Sequence, residues 1–412
     1  MRPTLDRPRR AALALTGTLA VALAGCSAGT PTAAPSTTPP VATPTTTSPS
    51  PTPTASCAEA TLDSLDEDQR IGQLLMVGFD TNAALDSLDD AITDGHVGNV
   101  IYLGGWDGAD KVTSTSEHLQ GLVGEAATGD IGLMIAADQE GGEVHQLRGT
   151  GFTRPPSASE QAQMSSSALT EAATGWAKEL KATGVNVNLA PVTDTVPADI
   201  GRANEPIGKW GRQYGSDPAT VEKASTAFID GMLAGGVEAT VKHFPGLGRI
   251  RNNTDFSSTG ITDDVTTADD PYLDPFRAGV DAGAGLVMVG SAEYSKIDPG
   301  VPAMFSSTIV TDLLREDLGF DGVVITDDVN AEAVKGTAPP ERAVKVIAAG
   351  GDMVLTGDAS VAPEMAAAIA ERAGSDEDFA DQVTASVLRV LELKDRMGLL
   401  PCSSSSSSAD SD

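Results

Sequence analysis

From Thr61 to Leu400, short β-branched runs alternate with alanine-rich stretches of helical periodicity. No other feature of the chain restricts its fold as much. The strand candidates are Val97–Leu103, Gly132–Ala137, Val185–Leu189, Ala239–Val241, Leu286–Val289, Gly322–Thr326 and Asp352–Leu355. Between them lie helical patterns such as Ala168–Thr183, Ala219–Ala234, Tyr272–Ala282 and Ser306–Leu318. Apolar strands joined by helical crossovers form parallel sheets covered on both faces. About seven or eight such units over about 340 residues fit one (β/α)8 TIM-type barrel, an α/β fold, across residues 61–402. A doubly wound sheet is the alternative, but no G-x-G-x-x-G opens a first βα unit.

Polar clusters follow these strands directly: Asp138-Gln139-Glu140-Gly141-Gly142, Asn188-Leu189-Ala190-Pro191, Lys242-His243-Phe244-Pro245-Gly246 and Thr326-Asp327-Asp328. In a barrel such positions share the C-terminal face, where binding and catalytic groups gather. Successive strand residues point to opposite faces, so Asp327 and Asp328 cannot both face one ligand. One of them is a candidate nucleophile, and Asp328 also suits a helix N-cap. Lys242 and His243 sit on a tight Phe-Pro-Gly turn without a glycine-rich phosphate cradle, which favours recognition of sugar hydroxyls. The four histidines, His96, His118, His145 and His243, show no metal-ligand spacing. No G-x-S-x-G elbow is present. Asp138, Arg212, Lys242 and two loop carboxylates would line a hydroxyl-reading cleft, and carboxylates flanking a glycosidic bond are what its hydrolysis requires. No cofactor or metal is implied.

Charge and composition remove other classes. With 58 acidic against 27 basic residues the formal charge is −31, which disfavours nucleic acid as a partner. Aromatic residues make up only 4%, so aliphatic side chains must fill the core. Residues 1–25 carry Arg2, Arg7, Arg9 and Arg10 before a short apolar run, the order of an export signal. The run ends Leu23-Ala24-Gly25-Cys26, which resembles a bacterial lipobox and implies acylation of Cys26. The chain is then expected to be exported and lipid-anchored to the outer face of the cell membrane. Residues 26–60 read as a disordered Pro/Thr/Ser-rich linker, with eight prolines between Ser27 and Ser56, and 403–412 as a disordered Ser-rich tail. Cys57 and Cys402 flank the body; in an exported protein with adjacent chain ends they are expected to form a disulfide. The chain is expected to be a monomer.

The clusters resemble glycoside hydrolase family 3, specifically its bacterial β-N-acetylglucosaminidases. Ile71-Gly72-Gln73-Leu74-Leu75-Met76-Val77-Gly78-Phe79 looks like the family's opening segment. The Asp138 cluster, Asn186-Val187-Asn188-Leu189-Ala190-Pro191-Val192, the Lys242 turn and Gly319-Phe320-Asp321-Gly322-Val323-Val324-Ile325-Thr326-Asp327-Asp328 complete the likeness. The resemblance implies that Asp327 forms a glycosyl-enzyme and that Asp138, Arg212, Lys242 and His243 hold N-acetylglucosamine. It implies an exo-acting retaining enzyme that releases this sugar from peptidoglycan-derived muropeptides or disaccharides. Three departures stand out. The family carries Asp-Ser-His on the loop after the Lys-His turn, with the histidine as acid/base, whereas this loop reads Asn252-Asn253-Thr254-Asp255-Phe256-Ser257 and no histidine follows His243. Asp255 either matches the family's aspartate or occupies the histidine's place and donates the proton itself. The family's arginine beyond the first aspartate is Gln146 here, with Arg148 as the expected substitute, and a family histidine near Met288 corresponds to Ser291. The alternatives are a catalytically weak cell-wall sugar-binding lipoprotein and a family 3 enzyme of other specificity, a β-glucosidase or phosphorylase.

Overall fold

The computed structural model describes residues 55–402. One eight-stranded parallel sheet forms its centre. The strands are β1 (Leu75–Asp80), β2 (Asn99–Leu103), β3 (Met134–Ala137), β4 (Val187–Asn188), β5 (Glu238–Phe244), β6 (Leu286–Val289), β7 (Val323–Thr326) and β8 (Val354–Thr356). They pair in the order β7-β6-β5-β4-β3-β2-β1-β8. A parallel bridge between Ile325 and Met353 brings β7 back to the approach to β8, closing the barrel. Nearly every strand side chain is buried, as an uninterrupted apolar run requires when helices cover the outside.

Helices α1 (Cys57–Ser64), α2 (Ser166–Ala182), α3 (Pro218–Ala234), α4 (Asp274–Asp281) and α5 (Glu377–Arg396) belong to that outer layer. Their starts are written locally. Ser56 and Glu59 form a reciprocal capping box at α1, and Asp217 caps α3 ahead of Pro218 in its first turn. Helices α2 and α3 pack closely because Gly231 leaves room: a Cβ there would lie 2.5 Å from that of Ala173 and 2.6 Å from the Thr170 carbonyl oxygen. At the opposite end of the barrel from the polar clusters, α5 sends Lys394 into the floor. Its Nζ donates to Gln73 Oε1 at 2.6 Å and to the Gly98 carbonyl at 2.9 Å. A disulfide joins Cys57 to Cys402 with Cα atoms 5.9 Å apart, tying α1 to the segment after α5.

Several elements depart from the sequence reading. Strand β1 was not among the strand candidates, since its Leu-Met-Val-Gly-Phe-Asp lacks a β-branched run. The stretch expected as a helix over Ser306–Leu318 is wound as a π-helix over Thr308–Asp317. Residues 57–60, expected within the linker, belong instead to α1, whose start Ser56 and Glu59 cap. The export signal over 1–25, acylated Cys26, the linker up to residue 54 and the tail over 403–412 lie outside the described residues. Among the described residues no helix is long and apolar enough to cross a membrane.

Candidate active site

Parallel packing brings the polar strand ends to one mouth. Asp138 follows β3, Lys242 and His243 are within β5, Met288 is within β6, and Asp327 follows β7. Arg212 comes from the connection between β4 and α3, and Asp255 from the loop after β5. Six of these seven sites are polar, and all seven line one cavity of about 220 Å³. Pockets for drug-sized ligands run to roughly 300–1,000 Å³, so this cavity suits about one sugar ring.

A charge network forms one wall. Lys242 Nζ lies 2.5 Å from Asp138 Oδ1 and 2.7 Å from Glu140 Oε1. The Arg212 guanidinium forks onto Glu140, Nη2 to Oε1 at 2.7 Å and Nε to Oε2 at 2.8 Å. Burial alone would push the Glu140 carboxyl up, but Arg212 and Lys242 overcome it and hold the pKa at about 2. Burial opposes the charge of Lys242 too, and Asp138 and Glu140 reverse that, raising its pKa. Both Glu140 oxygens are consumed within the network, whereas Asp138, with 21% of its side chain exposed, keeps Oδ2 for a ligand. Two cations thus balance two carboxylates, and Arg212 Nη1 donates to the Pro206 carbonyl at 2.9 Å.

His243 is oriented from behind. Asp194, fully buried, lies with Oδ2 2.7 Å from His243 Nδ1, and accepts the backbone N–H groups of His243 at 3.2 Å and Leu247 at 2.6 Å. The Asp194 carboxylate fixes the ring through Nδ1, and Nε2 lies 3.4 Å from Arg212 Nη2.

Asp327 and Asp255 add two further carboxyl groups to the cavity lining. The Asp327 backbone N–H donates to the Val289 carbonyl at 2.9 Å, pinning the end of β7 to β6. Asp328 turns to the backbone instead: its Oδ1 accepts N–H groups from Asn330 in its own loop at 2.8 Å and from Gly357 after β8 at 3.1 Å. The loop bearing Asp255 is stapled to the segment after Asp327 by N–H donation from Glu332 to the Asp255 carbonyl at 3.1 Å and from Ala333 to the Thr254 carbonyl at 3.0 Å. Asn253 Oδ1 accepts the Asp255 N–H at 2.9 Å and sets the turn. The loop tip, Asp255 included, is open to solvent, and the Asp255 carboxyl lines the cavity. Desolvation there and the negative charge of Asp327 push its pKa up to about 6, against the pull of His243 and Arg212.

The expected residues Asp138, Arg212, Lys242, His243, Asp255 and Asp327 therefore meet, and Arg148 does not. Gln146 and Arg148 do share a face, as their spacing suggests, but that face turns to the loop after β2. There Gln146 Oε1 accepts the Gly105 N–H at 3.0 Å, and the Arg148 guanidinium lies against Gly105. Glu140 and Asp194 were missed as site residues. Glu140 stands two positions after Asp138, the spacing of one strand face, which was a usable signal. Asp194 has none, because only the tertiary fold brings it behind His243.

A profile of the "Glycosyl hydrolase family 3 N terminal domain" matches residues 66–393. The crystal structure of a β-N-acetylhexosaminidase from Beutenbergia cavernae is 49% identical, with a TM-score of 0.78 over 80% of this chain and 98% of that one. A glycoside hydrolase family 3 β-N-acetylglucosaminidase from a Paenibacillus species is 32% identical, with a TM-score of 0.73 over 81% of this chain and 63% of that one. A β-hexosaminidase of Xylella fastidiosa is 33% identical over 253 residues, 58% of this chain and 71% of its own.

Proposed function

This chain belongs to glycoside hydrolase family 3, and on that premise we propose that it is an exo-acting, retaining β-N-acetylglucosaminidase. Its substrates are peptidoglycan-derived muropeptides or disaccharides, met at the outer face of the cell membrane, where an acylated Cys26 anchors it. The observation that carries the reading is that Asp327 and Asp255 line one cavity with Arg212 and Lys242, and that the charge of Asp327 raises the pKa of Asp255. A carboxyl group whose pKa lies near neutrality beside another carboxylate is the division of labour that glycoside hydrolysis uses.

The donors of Arg212 and Lys242, the free oxygen of Asp138 and Nε2 of His243 hold the hydroxyls of the terminal sugar. A cavity the size of about one sugar ring accommodates a single terminal residue, which supports exo action. Asp327 attacks the anomeric carbon as the bond to the leaving oxygen breaks, and Asp255 gives that oxygen its proton. Asp255, now a carboxylate, takes a proton from water as the water displaces Asp327 from the sugar. Two displacements retain the β configuration.

Turnover of 4-nitrophenyl β-N-acetylglucosaminide tests the reading, with the corresponding glucoside as specificity control. The expected result is hydrolysis of the N-acetyl sugar that Asp327→Ala abolishes. Preference for the glucoside would reassign the specificity, and sugar binding with no turnover of either would leave a cell-wall sugar-binding protein.

A further inference from the structure

Phe256 is 83% exposed, more than any other large apolar side chain of the described residues. It follows Asp255 in the same turn, closed by its own N–H donating to the Asn253 carbonyl at 3.1 Å. The turn is not slack. Asn252 spans the base of the loop, its backbone N–H on the Gly260 carbonyl at 3.1 Å and its Nδ2 on the Thr259 carbonyl at 2.8 Å, and the Glu332 and Ala333 amides hold the tip. An aromatic ring held in water on a pinned loop contributes nothing to the core; what singles this one out is its position, directly after the Asp255 carboxyl that lines the cavity.

We propose that Phe256 is a platform for the leaving-group sugar. The proposal rests on Asp255 being the group that protonates the glycosidic oxygen. The sugar that stays occupies the cavity on one side of that oxygen, against Arg212 and Lys242. The sugar that leaves lies on the other side, outside the cavity; Phe256 is not part of the cavity lining and adjoins it only through Asp255, the preceding residue of the turn. A pyranose presents an apolar face of ring C–H groups that an aromatic ring covers, and such a contact needs no hydrogen-bonding partner. The consequence is selectivity for leaving groups with a ring over those without one, independent of their charge.

Full-length wild type, Phe256→Ala and Phe256→Trp would be compared on N,N′-diacetylchitobiose, whose leaving group is a sugar, and on methyl β-N-acetylglucosaminide, whose leaving group is too small to stack. Both leaving oxygens need a proton, so the ratio of the two kcat/KM values isolates the contact. Phe256→Ala should lower the ratio roughly tenfold, near the upper end for one aromatic contact, with the loss concentrated in KM for the disaccharide. Phe256→Trp should hold it within about twofold. An unmoved ratio in Phe256→Ala, or a tryptophan variant as impaired as the alanine one, would overturn the platform. Wild type that cleaves neither substrate would overturn the underlying glycosidase reading instead.

Discussion

At the scale of single residues, environment separates the roles of like side chains. Asp255 keeps its proton further up the pH scale than an ordinary aspartate, with a pKa of about 6, because its carboxyl is desolvated and faces Asp327. The acid form is the one needed to expel a poor leaving group, and it is present below that pKa and lost as pH rises through it. For a disaccharide, kcat/KM should therefore fall above pH of about 6, and Asp255→Ala should lack that limb. Asp255→Ala should lose roughly 10²–10⁴-fold on the disaccharide and far less on the 4-nitrophenyl glycoside, whose leaving group needs little protonation. Equal losses on both substrates would remove Asp255 from the acid role. Residue type and order were enough to mark Asp138, Lys242, His243 and Asp327. They were not enough to place Arg148, whose side chain follows a ribbon facing Gly105 rather than the cavity.

At the scale of elements, short parallel strands deliver side chains to one face with little slack. Strands β5 and β6 pair through Met288 opposite Lys242, so the buried lysine and the cavity-lining methionine are fixed by backbone register. Helices outside the barrel must then approach closely, and α2 against α3 does so at Gly231. Gly231→Ala would gain about 1 kcal/mol of helix propensity but press its methyl into the Thr170 carbonyl and Ala173. Overpacking of this kind costs about 1–3 kcal/mol, so the variant should be net destabilised, by up to about 2 kcal/mol. Chemical denaturation would report this as a lower midpoint with an unchanged slope; a higher midpoint would mean the helices can move apart. Element boundaries were the weaker part of the sequence reading. Strand β1 was hidden by its Met and Gly, and the Asp-Asp pair divided only when Asp328 was seen to accept the Asn330 and Gly357 amides.

At the scale of the whole molecule, the barrel brings residue 57 to residue 402, and a disulfide holds them across a sequence separation of 345. Cross-linking distant positions restricts the unfolded chain most, typically by about 2–4 kcal/mol. A double Cys57→Ser, Cys402→Ser variant should melt several degrees lower while keeping its kcat, because the link lies at the end of the barrel away from the mouth. Loss of kcat at a temperature where the variant remains folded would show that the link reaches the active site. The same closure puts Lys394 into the floor, where burial without a carboxylate partner draws its pKa down to about 7.

The chain's order of apolar runs and polar clusters determined the barrel, the face that carries chemistry and most of the residues on it. Strand periodicity and strand-end position are local properties, and the parallel fold converts them into shared space. Tertiary structure alone decided which carboxylates pair with cations and which face each other. Glu140 became the partner of Arg212, 72 positions away, and Asp194 the support of His243, 49 positions away, while Asp255 came to face Asp327. The reason is that charge coupling depends on distance and burial in space, and neither is encoded at any single position of the chain.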